Sequence, residues 1–246
     1  MTFKVVIPAR YASMRLPGKP LLDIAGKPMV IRVAEQAAKS GATEIVIATD
    51  FEKISQIAAQ HDIKAVMTRI DHASGTDRIA EVADKLNWTD DEIVVNVQGD
   101  EPLIEPKLIQ EVAQHLASNS DAVMATACHA IHNEAALLNP NIVKVVIDAN
   151  GNALYFSRAP IPYPRDEKYK NQIQAYRHIG IYAYRVGFLK RYAQLTVTEL
   201  EKIENLEQLR VLHHGYKIGV TITDNAPATG VDTQEDLDYV RSLYLV

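Results

Sequence analysis

Three positively charged side chains lie close together near the start of the chain, in a loop that contains no acidic residue. Arg10, Arg15 and Lys19 follow a short apolar strand over residues 3–7, and interspersed Pro, Gly and Ser end that strand and disfavour a helix. In α/β proteins, a basic, glycine-containing loop after a strand commonly binds phosphate at the carboxyl end of that strand. The loop over residues 8–20 therefore predicts an anion site, although a solvated basic loop has the same composition.

Two aspartates follow glycines at places where a strand changes into a helix. Asp100 comes after an apolar strand over residues 92–97, and Asp232 precedes the last predicted helix. Taken singly, each fits a turn or a helix cap. Mg²⁺, however, is usually held by one or two carboxylates together with substrate phosphates. The pair therefore predicts a metal site formed by Asp100 and Asp232.

Other polar groups follow further strands or border the second half of the chain. Asp50 follows a strand over residues 44–48. The segment 74–78 (Ser-Gly-Thr-Asp-Arg) could hold a base or ribose through its backbone, or could simply cap a helix over residues 77–86. Arginine forks suit carboxylates and phosphates, but they also occur as ordinary surface charge. The positively charged or titratable groups that border the predicted insertion are Arg158, Arg165, Arg177 and His178.

The elements that must position these groups alternate regularly through the first half. Strand, loop and helix repeat four times before a further strand over residues 121–127, which predicts a mainly parallel sheet with helices on both faces. Right-handed crossovers place the loops that follow parallel strands along one edge of the sheet. The loops 8–20, 49–50, 68–75 and 98–102 should therefore be neighbours in space.

The second half has a different rhythm. A hairpin is predicted over residues 142–157, then a loop, a strand over 178–184, further helices, a strand over 216–222 and a helix over 234–243. No linker and no repeat interrupts the chain. We therefore predict one α/β domain over residues 1–246, with an antiparallel insertion over approximately residues 150–195.

Composition excludes some classes of function. The net charge of −5 argues against binding to nucleic acid. Cys128 is the single cysteine, so no intrachain disulfide is possible, which fits a reducing compartment. The chain has no signal-peptide layout and no apolar run of the roughly 18 residues that would span a bilayer, so we expect a cytoplasmic protein without membrane insertion. It also lacks a P-loop motif and any G-x-G dinucleotide fingerprint.

Motifs along the whole chain resemble those of one family. They are VIPARYAS-x-RLPGKPL (6–21), ATD (48–50), MTR (67–69), NVQGDEP (96–102), NPN-x-VKVV (139–146), ALYFSR (153–158), RH-x-GIY (177–182), LEQLR (206–210) and GVDT (230–233). The opening block alone is typical of nucleotidyltransferases in general. The joint set is similar to that of the 3-deoxy-manno-octulosonate (Kdo) cytidylyltransferases, the CMP-Kdo synthetases of lipopolysaccharide assembly.

The resemblance implies a Rossmann-like nucleotidyltransferase fold, a homodimer, and a Mg²⁺-dependent reaction of CTP with Kdo that yields CMP-Kdo and diphosphate. It implies catalytic roles for Lys19, Arg10, Asp100 and Asp232, with Mg²⁺ on the two aspartates. The implied nucleotide-binding residues are Ala9, Arg10, Arg15, Lys19, Asp50, Arg69, Ser74, Gly75, Asp77, Arg78 and Gln98. The implied sugar-acid residues are Arg158, Arg165, His178, Tyr182, Glu207 and Gln208.

Three alternatives stay open on the sequence. A cytidylyltransferase for another acidic sugar, such as 8-amino-Kdo or a sialic acid, would share the mechanism and differ in the pocket formed by residues 158–208. A glycosyltransferase that uses nucleotide sugars usually has an Asp-x-Asp metal motif, whereas here Gln98 precedes Asp100 by two positions. A nucleotide-sensing regulator would bind the same ligands without turnover.

Overall fold

A nine-stranded mixed β-sheet forms the centre of the protein in the computed structural model, which describes residues 1–11, 16–72, 74–224, 226–228 and 230–244. The strands, in chain order, are β1 (Lys4–Ala9), β2 (Asp23–Ile24), β3 (Lys27–Pro28), β4 (Glu44–Thr49), β5 (Lys64–Met67), β6 (Ile93–Asn96), β7 (Ala122–Ala130), β8 (Lys144–Ile147), β9 (Ala153–Ser157), β10 (Tyr176–Arg185) and β11 (Lys217–Ile222). Strands β2 and β3 form a separate two-stranded hairpin.

The helices pack on the faces and ends of this sheet. In chain order they are α1 (Met29–Ala38), α2 (Glu52–Gln60), α3 (Gly75–Lys85), α4 (Pro106–Ser118), α5 (Glu134–Leu138), α6 (Val186–Tyr192), α7 (Glu199–Glu204), α8 (Gln208–His213) and α9 (Gln234–Tyr244). Short 3₁₀ turns cover Lys19–Leu21 and Glu167–Gln172. Among the described residues, no helix is both long enough and apolar enough to cross a membrane.

The order of strands in the sheet is β11-β7-β10-β6-β1-β4-β5. Strand β1 pairs in parallel with β4 and β6, β4 in parallel with β5, and β11 in parallel with β7. Strand β10 is antiparallel to each strand with which it pairs, namely β6, β7 and, off this path, β8. The predicted α/β fold with a mainly parallel sheet and some antiparallel strands is confirmed. Strand β10 belongs to the range predicted as an antiparallel insertion, and it lies in the middle of the main sheet.

Strand β10 is longer than β6, and this difference opens a gap in the sheet. Residues 182–185 of β10 pair with β6, whereas residues 176–177 pair with β8 of the β8–β9 hairpin. Between these two stretches the register of β10 against β7 shifts. Residues 178–181 of β10 therefore lie beyond the carboxyl end of β6, where the loop that carries Asp100 begins.

Alternating side chains of the strands supply the two faces of the sheet with separate cores. In β1, Val5 and Ile7 join the buried cluster formed with α1, α2 and α4. Val6 points the other way and joins the cluster formed with α3, α6 and α8. This period of two is what an extended strand covered on both faces requires, and it accounts for the unbroken apolar run in β1.

A third, smaller core attaches the C-terminal helix. Ile24 and Met29 pack there with Val231, Leu237 and Val240. Helix α9 is thereby fixed against the β2–β3 hairpin and the start of α1, and the backbone of residue 231 is brought next to the loop after β6.

Candidate active site

The loops that follow the parallel strands meet at one edge of the sheet, as predicted. Arg10 Nη2 donates to the carbonyl oxygen of His72 at 3.0 Å, and the backbone N–H of Tyr11 lies 3.5 Å from Asp50 Oδ1. A Cβ at Gly99 would lie 2.7 Å from the carbonyl oxygen of Pro8, so only glycine allows the first loop and the loop after β6 to approach this closely.

Lys19 joins the two aspartates that the sequence singled out. Its Nζ lies 2.6 Å from Asp100 Oδ2, 3.1 Å from Asp232 Oδ1 and 2.6 Å from the carbonyl oxygen of Val231. In the chain, Lys19 is 81 positions from Asp100 and more than 200 positions from Val231 and Asp232. One ammonium group therefore contacts carboxylates from two distant loops, and both carboxylates face a common point.

The C-terminal segment holds Asp232 in place through its backbone. The N–H of Val231 donates to the carbonyl oxygen of Asp100 at 2.8 Å, and the N–H of Asp232 donates to Asp236 Oδ2 at 2.9 Å. Tyr244 Oη, at the end of α9, donates to the carbonyl oxygen of Pro102 at 2.8 Å. The loop after β6 is thus tied to both ends of α9.

The two carboxylates suit a hard divalent cation. Their side chains are 33% and 47% exposed, so the oxygens of Asp100 and Asp232 are accessible. Within the described residues, no group of three or more acidic, histidine or cysteine side chains is arranged to hold a metal ion. Two carboxylates without a complete protein cage match the way in which Mg²⁺ is usually bound together with substrate phosphates.

A cavity of about 470 Å³ opens beside these charged groups. It has walls from the loop after β6, from β10 and from the segment that leads into α8. Its lining includes Gly75, Thr76, Asn96, Gln98, Asp100, Glu101, Met124, Gly180, Tyr182, Tyr184, Tyr192, Asn205, Leu206, Glu207, Gln208, Val211 and Asp232. The cavity is large enough for a small polar ligand.

Three of the predicted sugar-acid residues line this cavity: Tyr182, Glu207 and Gln208. Burial raises the pKa of Glu207 despite the opposing charge of Arg210, and it raises the pKa of Tyr182 well above its usual value. His178 lies one ring away, with its centroid 5.4 Å from that of Tyr182, and its Nε2 is 3.0 Å from Thr126 Oγ1. Burial lowers the pKa of His178 to about 3, so its imidazole is neutral.

The two predicted sugar-binding arginines are placed differently. Arg158 is outside the cavity lining, and its guanidinium donates to the carbonyl oxygens of Glu204 at 2.7 Å and Pro140 at 3.1 Å. Arg165 is exposed, and the preceding residues Tyr163 and Pro164 line a different cavity. The structure therefore does not bring Arg158 and Arg165 to the cavity that contains Tyr182.

Some of the predicted nucleotide-binding residues line the cavity and others do not. Gly75 and Gln98 line the cavity. Ser74 and Asp77 form a capping box at the start of α3: Ser74 Oγ accepts from the N–H of Asp77 at 3.1 Å, and Asp77 Oδ2 accepts from the N–H of Ser74 at 3.2 Å. Ala9 is the buried last residue of β1. Arg15 lies outside the described residues.

Two predicted nucleotide-binding arginines already have partners in the protein. Arg78 is fully buried, and its Nη2 lies 2.8 Å from Asp50 Oδ2, while Nη1 bonds to Thr68. It therefore joins the ends of β4 and β5 to α3 and positions their loops. Arg69 is largely exposed and pairs with Asp71 at 3.0 Å, away from the cavity lining.

Sequence reasoning missed several groups of the cavity. Glu101 lies next to Asp100, and burial, together with the charge of that neighbour, raises its pKa to about 7. Asn96, Tyr184 and Tyr192 are buried around the cavity. The motif 96–102 contains Asn96 and Glu101 and could have drawn attention to them, whereas Tyr192 lies in no motif.

Comparisons with known proteins show similarity over nearly the whole chain. A family model described as "Cytidylyltransferase" matches residues 4–218. The chain is 58% identical to the 3-deoxy-manno-octulosonate cytidylyltransferases of Neisseria gonorrhoeae (strain NCCP11945) and Neisseria meningitidis (strain DSM 15465 / Z2491), with 98% of each chain covered.

Solved structures show the same similarity. A CMP:2-keto-3-deoxy-manno-octonic acid synthetase complexed with CTP superposes with a TM-score of 0.91 at 44% identity, over 99% of this chain and 98% of that one. A cytidylyltransferase from Leptospira borgpetersenii has a TM-score of 0.62 at 16% identity, over 98% of this chain and 85% of that one, and so shares the fold.

Proposed function

The chain belongs to the 3-deoxy-manno-octulosonate cytidylyltransferase family, and on that premise we propose that it transfers the cytidylyl group of CTP to Kdo, with release of diphosphate. The observation that carries the proposal is the meeting of Lys19, Asp100 and Asp232 beside a cavity lined by Tyr182, Glu207 and Gln208. A cation site and a polar sugar-sized cavity side by side are what this reaction requires.

In the reaction, the anomeric hydroxyl oxygen of the sugar attacks the α-phosphorus of CTP. The new O–P bond forms as the bond to diphosphate breaks, the diphosphate leaves with the bonding electron pair, and the proton of the hydroxyl passes to water. Such a transfer depends on positioning and on neutralisation of phosphate charge more than on covalent help from the protein. Lys19 and Arg10 are the cations that we assign to the triphosphate, with Lys19 stabilising the charge that develops on the departing diphosphate.

Mg²⁺, held by Asp100 and Asp232, would supply further neutralisation of the phosphates and orient them towards the sugar. Both aspartates are positioned without it, by Lys19 and by the hydrogen bond from the N–H of Val231 to the carbonyl oxygen of Asp100. The side chains of Tyr182, Glu207 and Gln208 offer donors and acceptors to the hydroxyls of the sugar.

We further propose that the protein acts as a homodimer in the cytoplasm, in lipopolysaccharide assembly. Leu138 and Tyr163, which are 57% and 80% exposed, border a second cavity of about 690 Å³ on the side that carries the predicted insertion. Exposed apolar groups around one cavity are typical of a contact surface between proteins. Sedimentation of wild type and Leu138→Asp tests this: we expect a dimer that the substitution weakens, and a monomeric wild type would contradict it.

Diphosphate release from CTP in the presence of Kdo is the direct test of the activity. We expect release with CTP and Kdo together, and none when either is omitted. A panel of sugar acids that includes 8-amino-Kdo and sialic acid distinguishes the substrate, because turnover of one of these with Kdo inert would assign the chain to another acidic sugar. A glycosyltransferase would release no diphosphate from CTP and Kdo, because it transfers a sugar from a preformed nucleotide sugar to an acceptor glycan.

Asp100→Asn tests the assigned site within the same assay. The change keeps the size of the side chain and removes its charge, so we expect loss of turnover with the fold intact. Asp121→Asn is the matched control, since Asp121 is 69% exposed and pairs with Lys217 on the surface. Turnover of Asp100→Asn equal to that of Asp121→Asn would remove Asp100 from the mechanism.

A further inference from the structure

Three buried polar atoms without a hydrogen-bond partner border the same cavity. Within the described part of the chain, seven buried side-chain nitrogen or oxygen atoms have no partner, and three of them are Asn96 Oδ1, Tyr192 Oη and Gln208 Nε2. All three residues line the cavity, and their exposed fractions are only 3%, 2% and 4%. The buried polar atoms without a partner are therefore concentrated at this cavity.

Such atoms are costly in the free protein. A buried donor or acceptor without a partner costs about 1–3 kcal/mol, and native proteins contain few of them. A group of three around one cavity therefore indicates that a ligand supplies the missing hydrogen bonds. Because the atoms are covered in the free protein, the ligand must move the lining slightly as it enters, and the hydrogen bonds gained offset that rearrangement.

Tyr192 is held firmly in its position. The guanidinium of Arg210 lies 4.7 Å from the centre of the Tyr192 ring, and Arg210 Nε donates to Glu201 Oε2 at 2.7 Å. The ring of Phe188 also packs edge-on near Tyr192, with 6.2 Å between the two ring centroids. An ion pair and two aromatic contacts thus fix the ring, which leaves the hydroxyl as the part of Tyr192 that is free to recognise a ligand.

The three groups share one chemistry. Asn96 Oδ1 is an acceptor, Gln208 Nε2 is a donor, and the Tyr192 hydroxyl can act as either. None of these groups carries a charge, and burial raises the pKa of Tyr192, so its proton stays in place at neutral pH. Uncharged donors and acceptors in a cavity fit the hydroxyl groups of a sugar, whereas a phosphate or a carboxylate would require the cations near Lys19.

We infer that Tyr192 and Asn96, together with Gln208, form a hydrogen-bonding floor that selects the sugar acid by the hydroxyl groups of its carbon chain. The inference rests on the proposed function and deepens it, because it adds Tyr192 and Asn96 as specificity-determining residues. A site built to hydrogen-bond a hydroxyl discriminates strongly against an analogue that lacks it, since the protein group is then left unpaired.

The test compares wild type, Tyr192→Phe and Tyr216→Phe. Phenylalanine keeps the ring on Arg210 and removes only the hydroxyl. Tyr216 is the matched control, because its ring contacts Phe188 at 5.0 Å without lining the cavity. For Tyr192→Phe we expect the KM for Kdo to rise about tenfold, the size of one lost hydrogen bond to the ligand. The KM for CTP should stay unchanged, and Tyr216→Phe should behave as wild type.

Stability separates recognition from a structural role. The Tyr192 hydroxyl has no partner within the described protein, so Tyr192→Phe should unfold at a Tm no lower than that of wild type. A set of Kdo analogues, each lacking one hydroxyl of the carbon chain, identifies the hydroxyl that Tyr192 contacts. For one analogue, the kcat/KM of wild type should be about tenfold lower than for Kdo, and the kcat/KM of Tyr192→Phe should be no lower for that analogue than for Kdo.

An unchanged KM for Kdo in Tyr192→Phe, an equal rise in the KM for CTP, or independent effects of the variant and of every analogue would each overturn the inference. All of these outcomes presuppose that wild type turns over Kdo. A wild type inactive with Kdo would contradict the proposed function itself, so the two failures are distinguishable.

Discussion

Replacing Lys19 with methionine removes the ammonium group that joins the loop after β6 to the C-terminal segment. Methionine keeps an unbranched chain of similar length and has no charge. The variant loses the hydrogen bonds to Asp100 at 2.6 Å and to the carbonyl oxygen of Val231 at 2.6 Å, and the ion pair with Asp232 at 3.1 Å. Two carboxylates then face each other without the cation between them.

The contacts of Lys19 allow the size of the effect to be worked out. A hydrogen bond to a charged group contributes about 1.5–3 kcal/mol. The side chain of Lys19 is 14% exposed, but those of its partners are 33% and 47% exposed, so water replaces part of what is lost. We expect the free energy of unfolding to fall by about 2 kcal/mol. We expect kcat to fall about 10²–10³-fold, the usual cost of removing one group that stabilises developing charge.

Urea unfolding measures the first quantity, and CTP-dependent diphosphate release with Kdo measures the second. Lys190→Met is the control, because Lys190 pairs with Asp90 at 2.8 Å on the surface, where water screens such a pair and its loss changes stability little. Diphosphate release by Lys19→Met at the rate of Lys190→Met would refute the catalytic assignment. A destabilisation equal to that of Lys190→Met would refute the structural one.

Three further predictions concern the elements around the site. Asp50→Asn leaves the fully buried Arg78 without its carboxylate, so we expect about 3–5 kcal/mol of destabilisation in urea unfolding; Asp71→Asn, at an exposed pair with Arg69, should cost far less. Gly99→Ala would place a Cβ 2.7 Å from the carbonyl oxygen of Pro8, and Gly219→Ala would place one 2.6 Å from the ring of His115. The free energy of unfolding of each variant should therefore fall by about 1–3 kcal/mol. Only Gly99→Ala should also lose diphosphate release out of proportion to this destabilisation, since Gly219 is away from the cavity lining. Burial lowers the pKa of His178 from 6.5 to about 3, so below pH 6.5 the unfolded chain binds a proton that the folded protein excludes. The contribution of the neutral imidazole to stability is therefore fully present above pH 6.5. It is lost as the pH falls towards 3, by up to about 1.4 kcal/mol per pH unit. His178→Gln should therefore lose less stability than wild type between pH 7 and pH 5, and equal losses would contradict the buried neutral imidazole.

The pattern of strands and helices was predictable because it depends on local physics. Apolar runs of four to six residues, separated by helices with one apolar face, define a parallel α/β sheet and the edge on which its loops meet. Arg10, Lys19, Asp50 and Asp100 could be placed at that edge for this reason. The predicted β5 (Lys64–Met67) and β9 (Ala153–Ser157) agree with the observed bounds.

Other residues could not be judged from their type and position alone. Arg78 looks like a ligand-binding arginine in sequence, but the structure buries it against Asp50 and Thr68. Arg158 directly follows a strand that the sequence identifies, yet its guanidinium donates to the carbonyl oxygens of Pro140 and Glu204. The partner of an arginine is set by groups far away in the chain, and a single sequence does not state those distances.

The chain by itself determined the class of fold, the edge that carries the charged loops, and the basic and acidic residues that meet there, since each of these follows from local periodicity and from the handedness of crossovers. The tertiary structure alone decided that Lys19 contacts both aspartates and that a cavity opens beside them, between β10 and the loop after β6. The physical reason is that strand β10 is antiparallel and longer than β6, and that α9 packs against the β2–β3 hairpin. Both arrangements depend on contacts between segments that are distant in the chain. The same contacts bring Asn96 and Tyr192 to one cavity, which their positions in the sequence do not reveal.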